Sequence, residues 1–212
     1  MKTLITSLLL AAATVTAFAQ TDQDSNRRKG FIGISLGPSL PVGSFAKVED
    51  KDGAAGGGLH LNLINFGYRF SDKVGITAKY FGGANVIKLE KELEREEENF
   101  EPWNYGGLLA GPMVSVPLSN SVEVDFRPMV GFCAAMLPKH KSEREAKTSE
   151  ASLAYSLGVN FQFNVASRFG IHAGLDYFHT KSEFTGSESG IPDFTQKIST
   201  VTPNVAFVYR FN

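Results

Sequence analysis

The residues of this chain that could do chemistry are four histidines, one cysteine and a few charges set inside apolar segments. His140-Lys141-Ser142 places an imidazole two residues before a hydroxyl, a spacing at which a general base could activate a nucleophile. His172 is followed two residues later by Gly174 and His179 by Lys181, so neither has a serine for a triad arrangement. His60, His140, His172 and His179 show no metal-ligand spacing and read as isolated polar residues, so no metal and no other cofactor is implied. Cys133, the single cysteine, cannot make an intramolecular disulfide and reads as a small buried residue. The last candidates are Lys79, Arg127 and Arg210 against Glu123, Asp125 and Asp176. These six charges cancel, and they form an ionic network only if the elements that carry them face one interior.

Those elements are strands, because side chains of a strand point to opposite faces at every second residue. From Ala151 to Val165 the odd positions Leu153, Tyr155, Leu157, Val159, Phe161 and Phe163 are apolar, and the even positions are small or polar. The stretch Val122 to Met136 repeats the pattern and puts Glu123, Asp125 and Arg127 on the opposite face. The same reading predicts strands over Phe31 to Pro38, Leu59 to Phe70, Lys73 to Gly82, Tyr105 to Leu118, Phe169 to Thr180 and Lys197 to Phe211. In the second of these the apolar phase slips near Leu63, the signature of a β-bulge. With 21 Gly and 17 Phe in 212 residues, composition also favours strands and tight turns.

Connection lengths alternate. Long segments cover Ser39 to Gly58, Gly83 to Asn104, Lys139 to Glu150 and Lys181 to Gln196; tight polar turns fall at Ser71-Asp72, Ser119-Asn120-Ser121 and Ala166-Ser167-Arg168. This is the order of an eight-stranded up-and-down barrel with short turns on one side of a membrane and long loops on the other. Aromatic residues on the apolar face gather at two levels: Phe66, Tyr68, Phe161, Phe163, Phe169, Tyr209 and Phe211 near the turns, Tyr80, Tyr155 and Tyr177 near the loops. The first 19 residues read as a cleaved signal peptide, with Lys2, the apolar run Leu4 to Ala13 and Ala17-Phe18-Ala19 before the cut. Residues 20–29 then form a short periplasmic segment and residues 30–212 the barrel.

From about Gly30 to Asn212 the chain resembles the outer-membrane β-barrel family of small, porin-like proteins. Thr202-Pro203-Asn204-Val205-Ala206-Phe207-Val208-Tyr209-Arg210-Phe211 resembles that family's C-terminal assembly signal, although such a signal ends on the aromatic and this chain continues to Asn212. The resemblance implies an all-β, transmembrane eight-stranded barrel in the outer membrane, with membrane lipid and the barrel assembly machinery as partners. Some barrels of this kind are lipid A deacylases with His-x-Ser on the lipid-facing wall. Here His140-Lys141-Ser142 matches only the two spaced letters, Glu143 stands where that family has Asn, and the segment lies in a loop. Palmitoyl-transferring barrels begin with an amphipathic helix, which Thr21 to Lys29 is too short and polar to form.

A secreted soluble barrel also alternates, but it turns its apolar face inward; the loop alternation and the aromatic levels argue for the membrane form. A net charge of -1 removes any bulk attraction to nucleic acid. The acidic run Lys88 to Glu98 reads as a solvated loop that could pair across the rim with the more basic Lys139 to Lys147. The expected protein is a non-enzymatic, monomeric barrel whose four surface loops serve envelope integrity or an extracellular ligand or surface partner. A narrow porin or small-ligand conduit is the alternative, and a lipid-modifying enzyme the third.

Overall fold

In the computed structural model, which describes residues 28–48, 53–89, 99–119, 122–142, 147–185 and 193–212, eight antiparallel strands close into a ring in sequence order. They are β1 (Gly30–Pro41), β2 (Ala55–Arg69), β3 (Val74–Ile87), β4 (Trp103–Pro117), β5 (Val122–Met136), β6 (Ser152–Asn164), β7 (Phe169–Phe184) and β8 (Phe194–Phe211). Each strand pairs with the next, and β1 pairs with β8 from Gly30 opposite Phe211 to Pro41 opposite Thr200. Closure leaves no edge of unpaired N–H and C=O groups, as a strand structure within hydrocarbon requires.

The three tight turns share one chemistry. Phe70 N–H donates to Val74 O, Leu118 N–H to Val122 O and Ala166 N–H to Phe169 O, at 3.1, 2.9 and 3.0 Å. Arg28 Nε donates to Ser167 O at 2.7 Å, which brings the start of the barrel to the turn end as well. The signal peptide expected over residues 1–19 and the acidic run from 90 to 98 lie outside the described residues.

The phase slip near Leu63 is a bulge: β2 changes register against β3 between Asn62 and Ile64, and against β1 at the same place. Leu63 and Ile64 both face outward, 53% and 45% exposed, while Asn62 and Asn65 on either side face inward and are buried. One inserted residue thus keeps both apolar runs on the outer wall and both asparagines inside.

The strands run further from the turns than the alternation alone predicts. β7 reaches Phe184 and β8 starts at Phe194, so residues 181–184 and 194–196 of the connection expected over Lys181 to Gln196 belong to the ladder. The Phe184 and Phe194 rings, which face each other across the last pair, stack at 5.2 Å and hold this extension together. Beyond the ends of β4 and β5, Glu101 N–H donates to Lys139 O and Lys141 N–H to Asn99 O, both at 2.8 Å. Residues 99–101 thus pair with 139–141 across the rim, and Lys139 Nζ lies 3.7 Å from Glu101 Oε1; the charge pairing expected of the acidic run itself falls on residues outside those described.

The two faces of the ring are inverted relative to a soluble barrel. Leu153, Leu157, Val130, Phe132, Val205 and Phe207 are each more than half exposed on the outer wall, and the charged and amide side chains of the other parity are buried inside. An apolar residue on a water-facing wall tolerates substitution within about 0.5 kcal/mol, whereas a lysine midway up a lipid-facing wall costs about 2–4 kcal/mol. Leu157, 56% exposed on β6, distinguishes the two. Leu157→Lys is expected to lower the urea unfolding free energy in vesicles by the larger amount, and an unchanged value would place this wall in water.

Candidate functional site in the barrel interior

The inward parity builds a ladder of ion pairs that starts at the turn end. Arg69, the last residue of β2, pairs through Nη1 with Glu123 of β5 and donates through Nη2 to Arg28 O at 2.6 Å. Next on β5, Asp125 is fully buried and accepts hydrogen bonds from Ser115 Oγ at 2.6 Å, from Arg127 Nη2 at 2.6 Å and from Gln162 Nε2. Arg127 also donates to Asn65 Oδ1 at 3.3 Å, and its guanidinium lies 4.8 Å from the centre of the Phe31 ring. The His172 ring packs edge-on against the same Phe31 at 4.7 Å. Phe31 can lie there because Gly67 has no side chain: a Cβ at that position would sit 2.3 Å from the phenyl ring.

Further from the turns, Lys79 Nζ donates to Asp176 Oδ2 at 3.2 Å and to Ser156 Oγ at 3.0 Å. Beside it His60 stacks on Phe81 at 5.3 Å and shares a 3.2 Å hydrogen bond with Asn62. Above Phe81 an aromatic cluster joins buried polar residues, among them Ser39 and Asn85, which hydrogen-bond to each other and to the Tyr105 hydroxyl. Phe81, Tyr105, Leu109, Met129, Phe178 and Ile198 form one buried cluster with Cys133. A short 3-10 turn, Gly43–Ala46, inserts Phe45 into this cluster from the first long connection. Its ring is edge-on to Trp103 at 5.7 Å and to Tyr105 at 6.4 Å, and it is fully buried. Trp103 Nε1 donates to Gly53 O at 2.7 Å, so the far side of the same connection is tied down over it.

All six charges singled out in the sequence, Lys79, Glu123, Asp125, Arg127, Asp176 and Arg210, are buried in the interior. The pairs are Lys79 with Asp176 and Arg127 with Asp125. Glu123 takes Arg69, which the sequence reading left out although it lies on the polar parity once the bulge is counted. The buried set is therefore not neutral: Arg69, Lys79, Arg127 and Arg210 stand against Glu123, Asp125 and Asp176. The aromatic cluster was missed too. Its signal was apolar residues on the polar parity, Phe81, Tyr105, Leu109 and Phe178 among them; Phe45, in a connection, gave none.

The histidines are dispersed. His140 Nδ1 accepts from Ser142 Oγ at 2.6 Å and from Ser142 N–H at 3.3 Å, so this pair closes a local exposed turn. His179 does have a serine, contrary to its sequence spacing, because strand register places Ser199 opposite it with Nδ1 and Oγ 2.8 Å apart. Among the described residues no carboxylate hydrogen-bonds to the His179 ring, and its neighbours are the Tyr155 ring at 5.0 Å and Ser199.

Removing one member of a buried pair strands its partner in a poorly solvated interior and costs about 3–5 kcal/mol, whereas a rim pair such as Lys139 with Glu101, 16% and 44% exposed, contributes about 0–1 kcal/mol. Urea titrations in vesicles are expected to show Arg127→Ala destabilised by the first amount and Lys139→Ala by the second. Equal midpoints would mean that the interior charges are solvated.

A family model described as outer membrane protein beta-barrel domain matches residues 5–211. Among solved structures, Neisserial surface protein A superposes with a TM-score of 0.61 at 11% identity, over 86% of this chain and 97% of that one. Lesser likenesses are to the attachment invasion locus protein Ail of Yersinia pestis, with a TM-score of 0.45 at 19% identity over 85% and 99%, and to the N-terminal barrel domain of Pseudomonas aeruginosa OprF, with 0.43 at 11% over 87% and 98%. Among curated proteins none matches the sequence significantly. With a closed ring of eight antiparallel strands, an apolar outer wall, a charged interior and a family match along nearly its whole length, this chain belongs to the outer membrane protein β-barrel domain family.

Proposed function

We propose that this protein is a monomeric barrel of a Gram-negative outer membrane, delivered by removal of residues 1–19, whose four long connections face the cell exterior in a structural or surface-interaction role. The observation that carries this reading is the obstruction of the interior at two levels. Phe45 is seated in the aromatic cluster near the loop end; beneath it the ion pairs of Arg69 with Glu123 and Lys79 with Asp176 cross the lumen, and Arg127 reaches from β5 to Asn65 of β2. An eight-stranded ring leaves an interior that side chains alone can fill, and here large buried side chains occupy it at both levels. This favours display over bulk conduction. The bridge between Phe100 and His140, with its two backbone hydrogen bonds, ties two of the connections together at the exposed end, where an extracellular partner would meet them. The role requires no cofactor, no nucleic acid and no catalysis.

Two measurements test it. In planar bilayers the parent protein is expected to show no steady conductance, and Phe45→Ala, which opens the loop end while leaving the ion pairs, only brief and small events; wide, steady conductance in the parent would favour the conduit instead. On intact cells, epitope tags near Asp50, Glu97, Lys141 and Ser187 are expected to be labelled and one at Asn120 protected. The reverse pattern would invert the orientation.

A further inference from the structure

The outer wall is not uniformly covered. Where β2, β3, β4 and β5 run side by side, one cross-strand row reads Leu61, Gly82, Gly106, Ala134, each the register partner of the next. The row on the turn side, Tyr80, Leu108 and Phe132, carries large side chains, each about half exposed or more. The absence of side chains on Gly82 and Gly106 therefore leaves a groove with a sill of large residues below it. Leu59 and Leu63 stand on one side and Met136 on the other, and the open volume is about 540 Å3. Small-molecule sites fall in the same range, roughly 300–1,000 Å3. The inward side of the same ladder is filled, because a Cβ at neighbouring Gly83 would lie 2.4 Å from the Tyr105 ring.

Depth and charge identify the occupant. Gly82 stands eight residues beyond Val74, the first residue of β3, and a tilted transmembrane strand takes about 9–11 residues to cross. The groove thus opens at the level of the outer leaflet, where the only molecules against an apolar wall are lipids. Beyond Gly82 and Ala84 the outward parity of β3 continues through Val86 to Lys88, which is exposed at the rim. Lys88 is fixed there: its N–H donates to Ala54 O at 2.6 Å, and a Cβ on Gly56 would touch its Cγ at 3.2 Å, so the aliphatic stem lies along the wall. A stem so held directs its ammonium toward the headgroup layer. An apolar slot with a positioned cation above it is complementary to one molecule that has a hydrocarbon chain below an anionic head.

We propose that this groove binds one acyl chain of a phosphate-bearing lipid of the outer leaflet, with the headgroup phosphate paired to Lys88. The seated chain regains the dispersion contacts that the two glycines forgo. The inference rests on the outer-membrane reading above and adds a defined lipid site to it.

Native mass spectrometry of the full-length mature protein, transferred from micelles doped with phosphatidylglycerol or with phosphatidylcholine of the same chains, tests it. The expected result is one retained phosphatidylglycerol per barrel, at least tenfold over phosphatidylcholine. Gly82→Leu fills the groove, and its Cβ has room because the nearest atom beyond the adjoining residues, Tyr105 O, is 4.0 Å away. This variant is expected to lose both adducts. Lys88→Gln is expected to keep a lipid adduct but lose the preference for phosphatidylglycerol. Ala84→Phe provides a second block should Gly82→Leu not assemble, and a mobility shift on boiling shows which variants have folded. No stoichiometric adduct in the folded parent, or equal retention by a folded groove-filled variant, overturns the site and leaves the barrel reading intact. A protein that fails to enter bilayers at all overturns the membrane reading itself.

Discussion

The structure depends first on closure, because hydrocarbon offers no partner to a backbone N–H or C=O, and a strand can lie in it only when both its edges are paired. Pairing of β1 with β8 supplies that condition. Everything else follows from what a closed eight-stranded ring does to side chains. It sorts each strand into an outward parity that meets lipid and an inward parity that shares a lumen too narrow for bulk water. Charges on the inward parity must then find partners: Arg69 of β2 reaches Glu123 of β5, Lys79 of β3 reaches Asp176 of β7, and Arg127 pairs with Asp125 two residues away on β5.

The lumen uses two packing solutions in succession. Near the turns it is polar, with Asp125 serving as a hub for Ser115, Arg127 and Gln162. Near the loops it is aromatic, and Phe45 arrives from outside the ladder to complete it. Phe81 joins the two, stacked on His60 on one side and edge-on to Phe178 on the other, while Phe31 packs with Met113, Ala206 and Val208 under the Arg127 guanidinium near the turns. Buried ion pairs seldom contribute net stability over apolar packing, because desolvation offsets their attraction. Their consequence here is geometric: Arg69 with Glu123 ties β2 to β5 and Lys79 with Asp176 ties β3 to β7, which constrains how those strands are rotated and so which residues face out.

Much of this was legible in the sequence because a period of two is enforced by the backbone. The alternation in Ala151 to Val165 could be satisfied only by a sheet with unlike faces, and the slip at Leu63 could be resolved only by a bulge. The buried charges were legible by the same parity, apart from Arg69, whose place at the strand end beside a turn hid it. Contacts that depend on register were not legible. His179 meets Ser199 across β7 and β8 at a separation no local spacing reveals, and the groove at Gly82 exists because three strands happen to align small residues in one row. Phe45 was illegible for a different reason, since a residue in a connection follows no periodic rule and its burial is set by the cavity it enters.

The central claim is that the odd residues of β6 touch lipid while the even ones face a closed lumen. Single cysteines from Leu153 to Asn164, introduced on a Cys133→Ala background and spin-labelled in liposomes, measure it by collision with dissolved oxygen and with a water-soluble nickel chelate. Leu153, Tyr155, Leu157, Val159, Phe161 and Phe163 should show high oxygen access with a minimum of nickel access near mid-wall, and Ala154, Ser156, Gly158, Asn160 and Gln162 low access to both. Oxygen access without a two-residue period, or strong nickel access at the even positions, would contradict it.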